Sequence, residues 1–259
     1  MHQSTLQPPN FRMNSSQGKQ ILSLIRSGDF AHAGEAEAVS MVLKGLPYST
    51  QNISLDVGCG LGGTCELIQQ AVGGQVIGVD TDSETITYAH SEYPKCEFIL
   101  GSATELSQYS IPPVNIITMF NTFYTFSPQD KALREAYLVS QKGAQLRIFD
   151  YSGLSTDARM KEFASTYSRS SWYPIETDTV EQRLRATGWI MTNMTDVTDH
   201  YLRWYEDLHQ KIVSNQKSIS ATNSDDWYKY ALSRYTILLD TLKAKIIGGV
   251  IVEAVRDSE

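Results

Sequence analysis

The residues with the clearest chemical potential form one run, Leu55-Asp56-Val57-Gly58-Cys59-Gly60-Leu61-Gly62-Gly63. Its glycines free the backbone to take positive φ and to approach a ligand closely. A glycine-rich loop by itself marks only a turn. Here Asp80 follows about 20 residues on, at the spacing of a carboxylate that receives ribose hydroxyls from the end of a second strand. A dinucleotide reading competes. It expects G-x-G-x-x-G, whereas this loop runs G-x-G-x-G-G, and Asp56 just ahead of it would repel a pyrophosphate.

Other side chains are candidates for work beside that loop. His32 could accept a proton, with Asp29 near in sequence to tune it, although a loop histidine also serves structure alone. Asn121 and Tyr124 lie just past an apolar strand, where they could orient an acceptor. Tyr151, Trp172, Tyr173, Tyr201 and Trp204 come from segments expected to overhang the strand ends. Rings of this kind suit a cationic amine; the same rings could simply pack a lid. Cys59 reads as a small apolar filler. The five histidines show no ligand spacing with Cys, Asp or Glu, so no metal is expected.

Periodicity indicates what must position these residues. Helical spacing covers Gln17 to Arg26 and Glu35 to Leu46, the second stopped by Pro47. A strand–helix alternation follows: strand Ile53 to Val57, helix Thr64 to Val72, strand Gln75 to Val79, helix Ser83 to Ser91 and strand Glu97 to Leu100. Ser83 and Glu84 are the expected cap and dipole partners of the second of these helices. Val114 to Phe120 is apolar enough to be buried on both faces. Pro128 to Ser140 is a helix with Ser127 as its expected N-cap, and Gln145 to Phe149 is a fifth strand. Residues 151–175 carry at most a short helix. Helix Thr177 to Ala186 and strand Trp189 to Val197 follow. Residues 199–242 are helical, with Tyr201, Trp204, Tyr205, Leu208 and Ile212 on one face, and Ile246 to Ala254 is the last strand. Such alternation implies an α/β fold with a parallel sheet, helices on both faces, and a ligand site outside the carboxyl ends of the strands. The domain reading is an N-terminal arm and cap at 1–33 and one domain at 34–259, with a helical lid inserted at about 199–242.

The 259 residues carry a net charge of −7, which argues against a general nucleic-acid binder. Met1 to Met13 has no apolar signal-peptide core, and no apolar run is long enough to span a membrane. Cys59, Cys65 and Cys96 are odd in number and fit a reducing compartment, so a cytoplasmic location is expected.

The run Leu55 to Gly63 resembles the first motif of the class I S-adenosylmethionine (SAM)-dependent methyltransferases. Gly78-Val79-Asp80 resembles their second motif, and Gly101-Ser102-Ala103 the segment that holds adenine. SAM has no phosphates and carries an ammonium group, so an acid beside the loop is welcome. The resemblance spans residues 34–255. It implies a Rossmann-like, mostly parallel seven-stranded sheet of order 3-2-1-4-5-7-6. It also implies cofactor contacts from Ala33, Asp56, Gly58, Cys59, Gly60, Asp80, Thr81, Ser102, Ala103, Phe120 and Asn121. S-adenosylhomocysteine (SAH) is the implied product. Ser102 departs from the family's usual Asp.

A narrower resemblance is to the phosphoethanolamine and sarcosine/dimethylglycine methyltransferases. It rests on His32-Ala33-Gly34 before a helix, on Asp150-Tyr151 after the fifth strand, and on the insert opening at Asp196 to Tyr201. Phosphoethanolamine methyltransferases carry an Asp after strand four and a His four residues later. Asn121 and Thr125 stand there in this chain, so phosphoethanolamine itself is not the expected substrate. Arg169 is the only nearby candidate for a phosphate contact, and a surface role suits it as well. The expectation is a methyltransferase acting on an amine or hydroxyl of a small molecule, with no nucleic-acid or membrane partner. The alternatives are a catalytically silent SAM-binding regulator and, less in keeping with the acidic balance and the lid, a protein or RNA methyltransferase.

Overall fold

Among the described residues, seven strands hydrogen-bond into one sheet of order β3-β2-β1-β4-β5-β7-β6. The computed structural model describes residues 11–26, 28–153, 158–167 and 172–257. The strands are β1 Ile53–Val57, β2 Gln75–Asp80, β3 Glu97–Leu100, β4 Val114–Phe120, β5 Ser140–Ser152, β6 Trp189–Asp196 and β7 Gly248–Arg256. β1 to β5 run parallel to one another, and β7 lies antiparallel between β5 and β6. The sheet is therefore the mostly parallel, Rossmann-like one that the resemblance implies.

Two apolar clusters flank it. Leu55, Val57, Ile77, Val79, Ile117 and Met119 project to one face. There they meet α5 (Gln129–Val139) and α7 (Val180–Arg185). The other face carries α1 (Ser16–Ile25), α2 (Glu35–Leu43), α3 (Gly63–Val72) and α4 (Ser83–Glu92). In β4, Ile116 and Phe120 join one cluster and Ile117 and Met119 the other, so this strand is buried on both faces as expected.

Several boundaries differ from the sequence reading. Asp82, not Ser83, caps α4: its Oδ1 accepts from Thr85 N at 2.9 Å. Ser127 does not cap α5, which starts at Gln129 with Pro128 in the cap position. β5 runs on to Ser152, and β7 is shifted toward the C-terminus, because the two pair antiparallel from Gln145↔Val255 to Ser152↔Gly248. A ladder set by a distant partner is invisible to local periodicity. Residues 158–167 form α6 (Ala158–Tyr167). The lid comprises three helices, α8 (Thr198–Ser214), α9 (Gln216–Thr222) and α10 (Asp225–Lys243). The apolar stripe Tyr201, Trp204, Tyr205, Leu208 and Ile212 of α8 is buried, as its i, i+3, i+4 spacing requires. No described helix is long and apolar enough to cross a membrane.

Candidate functional site

The glycine loop turns between β1 and α3, at the carboxyl end of the sheet, where ladders of this order leave a crevice. The backbone N–H groups of Gly58 and Cys59 donate to Val79 O at 2.7 and 3.1 Å, which pins the loop to β2. Gly58 has φ +82° and lies so close to Thr122 that a β-carbon would overlap its side chain. Gly60 has φ +57° and differs. It is buried, yet among the described residues a β-carbon there would meet only Ala31 Cβ, at 3.8 Å. Space is thus held over Gly60 beneath the N-terminal cap.

Asp80 closes the site on one side. Its Oδ2 accepts from Gly60 N at 3.0 Å and its Oδ1 from Asp82 N at 3.1 Å. The remaining donor comes from a residue the sequence reading passed over: Lys19 Nζ of α1 lies 3.0 Å from Oδ2. Lys19 stands three residues before Leu22, on the stripe that carries Ile21, Leu22 and Ile25, and it is itself buried. A cation on a buried stripe needs an anionic partner, and that was the signal available in the sequence. The cap is held again at Asp29, whose carboxylate accepts from Ser23, from Tyr88 Oη at 3.1 Å and from Tyr93 Oη at 2.7 Å.

Asp56 does not face the crevice. It is 1% exposed, accepts from Thr118 Oγ1 at 2.7 Å, and lies 3.7 Å from Cys65 Sγ. Burial pushes its carboxyl up to about 7. Strand alternation, which sends Leu55 and Val57 to one face, puts Asp56 under α3 on the other. Cys59 is buried with its Sγ against Gly78, the packing role expected of it. Thr81 is exposed beside Asp80. Ser102 keeps its hydroxyl within its own turn, 2.9 Å from Thr104 Oγ1, with Ala103 buried next to it.

His32 is not placed as a base. Its Nδ1 donates to Ala33 O at 2.9 Å, so Nε2 is the acceptor for Thr64 Oγ1 at 3.1 Å. The ring packs on Phe120 at 4.9 Å, and burial lowers its pKa to about 3. Asn121, at φ +47°, is a connector. Its Oδ1 accepts from Ala33 N at 3.0 Å and its Nδ2 donates to Tyr201 Oη at 2.7 Å, which joins cap, sheet and lid. Thr125 gives its hydroxyl to Thr122 O at 2.6 Å.

Beyond Asn121 the aromatic residues meet. Tyr124 lies 5.1 Å from Tyr151 and 4.5 Å from Trp172, and Tyr151 lies 4.8 Å from Trp172 and 5.5 Å from Tyr201, all between ring centroids. Tyr205 completes the cluster through a hydroxyl contact with Tyr151. Asp150 is fully buried at its edge, accepting from Tyr124 N at 3.0 Å and Tyr151 N at 2.7 Å, and burial raises it to about 7. Tyr173, 43% exposed, falls outside, and Trp204 adjoins the cluster at its edge, 6.0 Å from Tyr201 between ring centroids, while its Nε1 turns to the α2 side and donates to Glu37 at 2.8 Å. Arg169 lies outside the described residues.

Residues 55–143, which run from the glycine loop through β4 to β5, match the methyltransferase domain family model. Residues 55–143 thus carry a methyltransferase domain, and the sheet has the strand order of the class I fold. Domains of this class draw their methyl group from SAM. The phosphoethanolamine N-methyltransferase of Plasmodium falciparum is 19% identical over 207 residues, 78% of each chain. Among solved structures, the cyclopropane synthase MmaA2 of Mycobacterium tuberculosis superposes with a TM-score of 0.81 at 15% identity, covering 94% of this chain and 96% of that one. Phosphoethanolamine N-methyltransferase 2 of Haemonchus contortus, in complex with phosphomonomethylethanolamine and SAH, gives 0.81 at 19% identity over 93% of this chain and 57% of its own. A putative sarcosine dimethylglycine methyltransferase from Galdieria sulphuraria gives 0.72 at 12% identity, with 86% and 82% covered. These identities speak for the fold that the methyltransferase domain shares with them.

Proposed function

We propose that this methyltransferase acts on a small molecule bearing an amine or a hydroxyl. The observation that carries the reading is the space over Gly60 beside the Asp80 carboxylate, whose Oδ2 already accepts from the loop and from Lys19. A ribose presents hydroxyl donors of the kind that carboxylate receives. Gly58, Gly60, Asp80 and Thr81 would hold the nucleoside sugar and the loop side of SAM. Ser102 and Ala103 would flank adenine, and Ala33, Phe120 and Asn121 the methionine end. When bound, SAM supplies a methyl group on a positively charged sulfur.

The chain's own residues then orient and exclude water. α8 lies over the strand ends through Tyr201 and Tyr205, which favours a small acceptor over a polymer. The aromatic cluster around Tyr124, Tyr151 and Trp172, with Asp150 beneath it, suits a cationic amine by ring–cation attraction. Holding an acceptor in line supplies much of the acceleration for such a transfer. His32, neutral and with both ring nitrogens engaged, orients the cap and takes no proton.

A second reading, a SAM-binding regulator without transfer activity, draws on the same engagement of His32 and Asn121. Isothermal titration with SAM, SAH and NAD tests the cofactor. Binding of both sulfur compounds with NAD silent is expected, and a folded protein that binds neither overturns the proposal. A screen of amines, phenols and carboxylates then separates enzyme from regulator by whether SAM is consumed.

A further inference from the structure

Tyr201, on the first turn of α8, is fully buried, and its ring lies 5.0 Å from Phe149 and 5.5 Å from Tyr151 between centroids. The backbone N–H of Ala33 can only donate, so the Asn121 atom that meets it at 3.0 Å is Oδ1. Nδ2 is then the atom that faces Tyr201, and it donates to Oη at 2.7 Å. The tyrosine therefore receives, and its own O–H proton stays unspent: among the described residues no acceptor lies within hydrogen-bond reach of it. Neighbouring polar tips are matched. Tyr151 and Tyr205 share a hydroxyl contact, and Trp204 Nε1 donates to Glu37 at 2.8 Å. A buried donor without an acceptor is costly, so this one calls for a ligand atom with a lone pair to offer.

The place narrows the ligand. Through Asn121 the Tyr201 side chain adjoins Ala33, the proposed flank of the methionine end of SAM, and through Tyr151 it adjoins Tyr124 and Trp172. A neutral amine nitrogen has one lone pair, and attack on a methyl group uses it. An oxygen keeps a second one for the Tyr201 proton. Rings that attract a cation also pack on an aryl group, offset or edge to face. Two titratable groups here are already committed. His32 is neutral with both ring nitrogens engaged, and the Asp150 carboxyl is met by the amides of Tyr124 and Tyr151. An acceptor that has lost its proton to solvent before it binds needs neither as a base.

We infer that Tyr201 selects an oxygen acceptor, the hydroxyl of an acidic phenol bound as its anion, by donating to the lone pair that does not attack. The phenolate oxygen forms its bond to the methyl carbon as the carbon–sulfur bond breaks, and the electron pair of that bond stays on sulfur to give SAH. The inference rests on the methyltransferase reading and chooses one of its two acceptor atoms.

4-Nitrophenol is the probe, because it ionises near neutrality and its anion is coloured; 4-nitroaniline is the uncharged counterpart of the same shape. Both are titrated at neutral pH into the whole protein saturated with SAH. The expected result is that 4-nitrophenol binds as the coloured anion, roughly tenfold or more tighter than 4-nitroaniline. In Tyr201→Phe the preference should vanish and the bound colour fade toward that of the neutral phenol, while SAH affinity holds. A wild-type protein that binds neither probe, or both alike, overturns the inference, and so does a preference that survives in Tyr201→Phe. A variant that loses SAH affinity instead assigns the hydroxyl to the cofactor and overturns it too. Should the variant not fold, the preference and colour in the wild-type protein decide. If SAH fails to bind the wild-type protein, the function proposal falls by that result alone, whereas bound SAH without a phenol preference removes only the role of Tyr201.

Discussion

Lys19 Nζ lies 3.0 Å from Asp80 Oδ2, with side-chain exposures of 6% and 11%. The same oxygen accepts from Gly60 N at 3.0 Å. One carboxylate therefore ties together the N-terminal helix, the end of β2 and the glycine loop. The ion pair fixes the cap, and the proposed ribose contact uses the same group.

Asp80→Ala separates these two roles. Removing one partner of a mostly buried pair costs about 3–5 kcal/mol. Urea unfolding should show that loss, and calorimetric titration should show SAH binding weakened by roughly tenfold or more. Adding Lys19→Met should restore stability and leave binding weak. If binding returns in the double variant, Asp80 does not hold the ribose.

Gly58→Ala and Gly60→Ala should fail differently. At Gly58 a β-carbon overlaps Thr122, so folding suffers. At Gly60 the backbone is left-handed but the nearest neighbour is 3.8 Å away. That variant should fold, with a loss on the order of 1–2 kcal/mol, and lose SAH affinity. Thermal unfolding and titration together check both. Normal SAH affinity in Gly60→Ala would mean that the space over this glycine is not the cofactor's.

Asn121→Ala should loosen cap and lid together. It strands Ala33 N and Tyr201 Oη, at about 1–3 kcal/mol for each buried group left unsatisfied. Hydrogen exchange at the Ala33 amide and along α8 should rise together. Faster exchange at Ala33 with α8 unchanged would show that Asn121 does not couple them.

Stability should fall as pH rises toward neutrality. Asp56 and Asp150, raised to about 7 by burial, keep protons in the folded state that the unfolded chain releases near its ordinary carboxylate pKa. Their contribution is full at low pH and is lost as pH rises to about 7. His32, lowered to about 3, works in the opposite sense, because the unfolded imidazole binds a proton below about 6.5 and the folded one does not. Between about pH 4.5 and 6.5 the folded state holds a net excess of one proton. The slope is then on the order of −1.4 kcal/mol per pH unit. His32→Gln should steepen it toward roughly twice that value. Denaturant titrations across this range check both slopes, and a rise in stability from pH 5 to 7 in the wild-type protein would contradict them.

Much of the architecture was legible in the sequence. The alternation of short apolar strands with helical periods marks a parallel sheet, and the glycine run followed by Asp80 marks the end of the sheet where a ligand sits. The methyltransferase motifs supplied the strand order. Burial of the α8 stripe also follows from spacing. What those rings face does not: periodicity separates inside from outside, so Tyr151, Trp172, Tyr201 and Trp204 read alike although Trp204 turns to Glu37.

By itself, then, the sequence determined the class of fold, the loop and the carboxylate beside it, because these depend on residue type and on spacing within a few tens of positions. The tertiary structure decided the partners. Lys19 reaches Asp80 across 61 positions and Asn121 joins Ala33 to Tyr201 across 88 and 80, while His32 is held neutral by burial rather than poised as a base. Charge state and pairing are set by which groups share a low-dielectric space, and that is a property of the packed chain rather than of any segment of it.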